Sequence, residues 1–122
     1  MKPDIKGLTK LANRLEKVPR KQFDMDHWWV ENECGTKGCI LGWAAQVFPH
    51  RFTKHKAISF SSGKVYEIEH KRTNVCGSHA FAEGFRIDID QAQDITLAAN
   101  IATPHQAAKQ IRVLIGKLKK AK

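Results

Sequence analysis

Between Ala57 and His70 the character of the chain changes. The runs "AISF" and "VYEIEH" alternate apolar with polar residues, and "SSGK" stands between them. Period two belongs to a strand with one buried face. Two such runs around a Ser-Gly turn predict a β-hairpin, Ala57–Phe60 against Val65–His70, turning at Ser61–Lys64. On both sides of it the apolar residues recur at helical spacing instead. A chain written this way is expected to be α+β and mainly α: a compact helical domain with one small hairpin between N-terminal and C-terminal helical parts. Its 122 residues suit one domain, helical over 4–48, hairpin over about 57–70 and helical over 78–120.

The first helical part opens with Ile5, Leu8, Leu11, Ala12 and Leu15 on one face, capped by Asp4 and ended by Pro19. "FDMDHWW", Phe23 to Trp29, follows as a short turn or helix anchored by its aromatic residues. Thr36 then caps a helix running to about Phe48, where Pro49 stops it. On that helix Cys39, Gly42 and Trp43 fall at i, i+3 and i+4 and share a face. A glycine inside a helix costs roughly 1 kcal/mol against alanine, so Gly42 is expected to admit a neighbouring backbone. After the hairpin, "SHAFAEGF" reads as a short helix capped by Ser78 and closed by Gly84. "DIDQAQDITLAAN" opens another near Asp88 or Asp90. The last helix has Thr103 as cap and Pro104 at its first position, with Ala107, Ile111, Leu114 and Leu118 as its core stripe.

The cysteines invite three chemical readings. Cys34 and Cys39 have four residues between them, and His50 and His55 repeat that gap, so a Cys2His2 zinc site is formally open. The gap is at the edge of usual ligand spacing, however, and no second Cys-x-x-Cys supports it, so no metal and no cofactor are expected. Cys34 just before a helix start would have a lowered thiol pKa, with His27 or His79 as base and Asp24 or Asp26 to orient it. No hydrolase signature accompanies that set. Three cysteines in a chain without a signal peptide also argue against a structural disulfide. The remaining reading is structural: Cys34, Cys39, Gly42 and Trp43 as the seam of the core. Phosphate-binding, dinucleotide and HExxH motifs are absent from the sequence, and Asp88-Ile-Asp90 lacks the glycine and closing glutamate of a calcium loop.

Charge is the strongest global signal. The chain carries 21 Lys and Arg against 12 Asp and Glu, a net +9. After Asp94 there is no acidic residue, and Lys109, Arg112, Lys117, Lys119 and Lys120 crowd the end. Arg14, Lys17, Arg20 and Lys21 make a second cluster. Such a balance points to nucleic acid or an acidic protein surface as partner. No stretch approaches the roughly 18 apolar residues of a membrane span, so no membrane partner is expected, and the location is expected to be cytoplasmic. A helix-turn-helix from 88–100 and 103–118 would offer only His105, Gln106, Lys109 and Gln110 to bases, which favours backbone contact over base reading. Trp28, Trp29 and Tyr66, with Phe60, are the candidate aromatic interface for a protein partner; His27-Trp28-Trp29 would also serve as a base-stacking platform.

The run Cys34-Gly35-Thr36-x-x-Cys39-x-x-Gly42-Trp43-Ala44 resembles a "CGTxxCxxGWA" pattern of small bacterial and phage proteins. So does Leu8, Leu11, Ala12, Leu15, Glu16 and Pro19 followed by Phe23-Asp24-Met25 and Trp28, and so does the closing Thr103-Pro104-x-Gln106-Ala107-Ala108-x-x-Ile111. The resemblance touches most of the chain, least in the hairpin. It carries no activity with it. It implies a phage or mobile-element setting, where small basic proteins often bind host or defence components.

The expectation is therefore a small, basic, non-enzymatic accessory protein docking on nucleic acid or on a host or defence nucleoprotein. The alternatives are a protein–protein inhibitor module acting on a host enzyme, and a cysteine-dependent enzyme.

Overall fold

The computed structural model describes residues 2–25, 28–32, 35–60, 63–97 and 101–120. Helix α1 spans Ile5–Leu15. Asp4 caps it, its side chain accepting from the Gly7 N–H at 3.0 Å. After a short 3-10 helix at Arg20–Gln22 come strands β1 (Trp29–Asn32) and β2 (Gly35–Gly38), then helix α2 (Ile40–Val47). Strands β3 (Phe52–Phe60) and β4 (Gly63–His70) form the central hairpin. Helices α3 (Gly77–Phe85), α4 (Ile89–Thr96) and α5 (Pro104–Lys120) complete the chain. The strands make one antiparallel sheet in the order β2-β1-β4-β3. Mainly helical α+β is thus the observed class. Among the described residues, no helix is long and apolar enough to cross a membrane.

The expected hairpin is present and longer than its sequence signal. Pairing extends from Phe52↔His70 to Phe60↔Gly63, with a bulge between Lys56 and Ile58. Ser61 and Ser62 of the expected turn lie outside the described residues. Its early half reads "FTKHK", with little alternation to see. That half is held because Phe52 (2% exposed) and Ile68 (0%) both enter the core.

The largest departure lies within the stretch expected to be helical over 4–48. Residues 35–38 pair with β1 instead of opening a helix, so Thr36 is a strand residue opposite Glu31 and not a cap. Helix α2 begins at Ile40 with Cys39 as its N-cap residue. Tertiary pairing wins here because Trp29 and Val30, aromatic and β-branched, favour a pleated surface. Gly38 then offers its carbonyl to the Asp24 N–H at 2.9 Å. The second half of "FDMDHWW" accordingly enters a strand, and not a helix, at Trp29.

Helix α3 is capped by Cys76 rather than Ser78. Ser78 is buried and bonds Thr96 on α4 at 2.7 Å. Gly84 lies inside the helix against the Phe52 ring, and the terminator is Arg86 in the left-handed region at φ 56°. The remaining caps match the sequence. Asp88 and Gln91 form a reciprocal capping box on α4. Thr103 and Gln106 do the same on α5, the Gln106 N–H donating to Thr103 Oγ1 at 3.1 Å and the Thr103 N–H to Gln106 Oε1 at 3.2 Å.

One continuous apolar cluster joins these elements, from Leu8 to Leu118. Leu8, Leu11, Ala12 and Leu15 of α1 pack with Ala107, Ala108, Ile111, Leu114, Ile115 and Leu118 of α5. Phe85 of α3 meets Phe48, Phe52 and its neighbour Phe81.

Candidate polyanion-binding face

The cysteine motif proves to be a joint. The Trp28 carbonyl accepts from the Cys39 N–H at 3.3 Å and lies against the Cys39 thiol at 3.8 Å. A side chain at Gly42 would collide with that same carbonyl oxygen. One at Gly38 would come within 2.7 Å of it. Trp43 meets Trp29 edge to face, centroids 5.2 Å apart, and donates its indole N–H to the Gln22 carbonyl at 3.1 Å. Gly42 therefore admits a neighbouring backbone, as its place in the helix implies. Cys39 is fully buried, and burial pushes its thiol up to about 12. No thiolate chemistry is available there at neutral pH. Cys34 lies outside the described residues. Cys76 is exposed, and burial of its sulfur together with Glu69 and Glu67 raises its pKa as well. Among the described residues no three His, Cys, Asp or Glu side chains gather as a metal site.

The expected aromatic interface does not form as a unit. Trp29 is 3% exposed. Its indole N–H and the Tyr66 hydroxyl both donate to Glu31, each at 3.1 Å, and Lys54 lies over both rings. Burial alone would raise the Glu31 carboxyl, but these hydrogen bonds and the Lys54 ammonium hold it below its ordinary range. Trp28 is half-buried over Gly77 at the start of α3. Trp29 thus serves the core, and Tyr66 a polar network on the sheet. Nothing is described of the Phe60 side chain.

The charges separate into three groups. On α1, Lys6, Lys10 and Arg14 are exposed at spacings of four, and Lys17 is exposed in the turn that follows. At about 100° per residue the three helical cations cover an arc of about 80° that flanks the buried face of Leu8, Leu11 and Leu15. Arg14 lies over the Trp43 ring at 5.5 Å and Lys10 over the Phe48 ring at 5.3 Å. Arg20 and Lys21 continue the line into the 3-10 helix, both exposed. Glu16, at this end of the helix, faces α5.

The α5 cations are spread around their helix. Arg112 donates to Glu16 through Nη1 and to Asn13 at 3.1 Å through Nη2, and His105 bonds Glu16 at 2.9 Å. The Arg112 hydrogen bond leads in holding the Glu16 carboxyl below its ordinary range, with His105 assisting. Lys117 lines a shallow groove beside Asp94 on the α4 side. Lys109, Lys119 and Lys120 are exposed, with Lys109 and Lys120 on the outer line. Arg112, which faces α1, is engaged with Glu16 and Asn13. His105 bonds Glu16, and Gln106 accepts from the Ala102 and Thr103 N–H groups, so two of the four residues a recognition helix would use are engaged internally.

The third group was not singled out from the sequence. A cleft of about 310 Å³ lies between the start of α1, the α2–β3 corner and the end of β4, with the C-terminal end of α3 as its wall. Asp4, His50, Arg51, His70, Lys71, Arg72, Glu83 and Arg86 line it. Arg51 is its structural member. It pairs with Asp4 at 2.6 Å, donates to the Gly84 carbonyl at 3.2 Å and stacks on Phe48 at 4.2 Å. Since Lys10 lies over that same ring, the α1 stripe and the cleft adjoin. Burial lowers the pKa of the His70 imidazole, Arg72 and Arg51 adding to it against Glu83. Its Nδ1 lies 3.0 Å from the Thr73 hydroxyl and 3.3 Å from the Thr73 N. The sequence signal was the adjacent pair Lys71-Arg72 ending the hairpin, uninformative until the fold brings Arg51 and Arg86 beside it.

Comparison with family models, with curated proteins and with solved structures yields no match to this chain.

Proposed function

We propose that this protein binds nucleic acid through the outer face of α1 and acts as a non-enzymatic accessory factor. The observation that carries the reading is the stripe of Lys6, Lys10 and Arg14 on α1, continued by Lys17, Arg20 and Lys21, with Glu16 turned toward Arg112 and Asp24 beside Lys37. Evenly spaced cations on a rigid helix suit the regular charge of a phosphate backbone and read no sequence. Lys109, Lys119 and Lys120 add to the field without forming a continuous track with α1. The motif resemblance to bacterial and phage proteins supports a mobile-element setting, with a host or defence nucleoprotein as the larger target. The cytoplasm is the proposed location.

Fluorescence anisotropy with mixed-sequence DNA and RNA at two salt concentrations tests the reading. Binding should weaken steeply with salt, and K6E/K17E should weaken it further while leaving the fold intact. Absence of binding at low salt overturns it. A complex with a protein partner that survives high salt and nuclease would favour the inhibitor alternative.

A further inference from the structure

We infer that the cleft walled by Arg51, His70, Lys71, Arg72 and Arg86 is a binding site for a phosphate monoester, the terminal phosphate of a nucleic-acid strand. The inference rests on the nucleic-acid reading for its macromolecule, though not for its chemistry.

The charge balance is the first argument. Four cations and two carboxylates line the cleft, and Asp4 is already neutralised by Arg51. The side chains of Lys71, Arg72 and Arg86 make no hydrogen bond or ion pair among the described residues, and the carboxylates facing them are Glu83 and the Arg51-paired Asp4, which Arg86 also helps to hold ionised. The His70 ring lines the same wall. Guanidinium groups present planar forks that match phosphate oxygens in pairs, and a convergent set suits a compact dianion better than a singly charged diester.

The second argument is the backbone at Arg86. This residue ends α3 at φ 56°, where glycine is the usual choice and a non-glycine residue stores strain. Gly84 stands two positions earlier, under the Phe52 ring, so the chain places glycine inside the helix and arginine at the cap. The guanidinium is thereby held at the cleft. Size is the third argument. About 310 Å³ exceeds what a bare phosphate fills and accommodates a phosphate with part of its sugar and base. The adjoining α1 stripe then receives the diesters that follow.

The test compares one oligonucleotide with a 5′-phosphate and with a 5′-hydroxyl, adenosine 5′-monophosphate and inorganic phosphate being titrated separately. The variant is Arg72→Ala with Arg86→Gly. Glycine suits the left-handed cap, so the fold is preserved while both guanidiniums are lost. The expected result is at least tenfold tighter binding of the phosphorylated strand. That advantage should vanish in the double variant, which keeps its affinity for the hydroxyl strand. K6E/K17E should weaken both strands equally. If both strands bind alike and neither small phosphate binds, the cleft proposal falls and the nucleic-acid reading stands. If neither strand binds but the mononucleotide or phosphate does, and the variant abolishes it, the cleft is a phosphate site and the nucleic-acid reading falls. Binding of no probe overturns both.

Discussion

Replacing Gly42 by alanine should destabilise the protein, although alanine is the better helix former. In an unconstrained helix interior the exchange gains roughly 1 kcal/mol. Here the new Cβ would overlap the Trp28 carbonyl oxygen and stand 3.0 Å from both the Trp28 carbonyl carbon and the Trp29 ring. Backbone atoms do not rotate away as a flexible side chain does, so α2 or the start of β1 must move. Overpacking of this kind costs about 1–3 kcal/mol. The shift also breaks the hydrogen bond from Cys39 to Trp28 and leaves the carbonyl short of its partner at about 1–3 kcal/mol. Less the roughly 1 kcal/mol helix gain, the net loss is about 1–5 kcal/mol, or roughly 4–20 °C in Tm at about 4 °C per kcal/mol for a chain of this length. Gly116 on α5 is the control, since a Cβ there meets nothing within 4 Å. Gly116→Ala should raise Tm by a few degrees in the same thermal melts. If Gly42→Ala rises with it, the close approach of the two backbones is not what places glycine at position 42.

The Asp4 carboxyl would be raised by burial, but the Gly7 N–H and Arg51 outweigh this and hold it below its ordinary 3.8. Its contribution is present above that pH and lost as pH falls through the lower folded value, so Asp4→Asn should reduce stability at pH 7 by about 1–3 kcal/mol. The same variant should show a flatter decline between pH 4 and 3 in acid melts. In a Cys34→Ser background, a thiol reagent should titrate Cys76 alone in the native protein and Cys39 only after denaturation. Ser78→Ala should cost about 1 kcal/mol in chemical denaturation by removing the hydrogen bond to Thr96, whose hydroxyl keeps its bond to the Ala92 carbonyl at 2.9 Å.

Local chemistry was legible where the residue itself closes the hydrogen bonds. Asp4, Asp88 and Thr103 announce their helices because a short polar side chain satisfies the first orphan N–H groups, and Gly42 announces a close approach because nothing else justifies its place. The strands β1 and β2 were not legible. "WVEN" and "GTKG" are four residues each, too short to show a period, and Gly38 took its meaning only from the tryptophans packed on it. The basic stripe of α1 follows from helical spacing and is visible in the sequence. Its partners are not. Arg112 reads as a free cation until the packing of α1 on α5 brings Glu16 to it, and the cleft collects Arg51, Arg72 and Arg86 from three connections that no spacing relates.

The sheet is two local hairpins joined by one distant seam. Asn32 pairs with Gly35, and Phe60 with Gly63, so each hairpin closes on itself within a few residues. The seam pairs Asn32 with Gly63, and closing it encircles about 30 residues, including all of α2. On a loop-entropy scale that closure costs about 3 kcal/mol before any seam contact repays it. Refolding should therefore be paced by this step. The β3–β4 hairpin forms early, and the joint at Trp28, which closes only about 14 residues, precedes the seam. Substitutions along the seam should slow folding, whereas those made elsewhere should mainly speed unfolding.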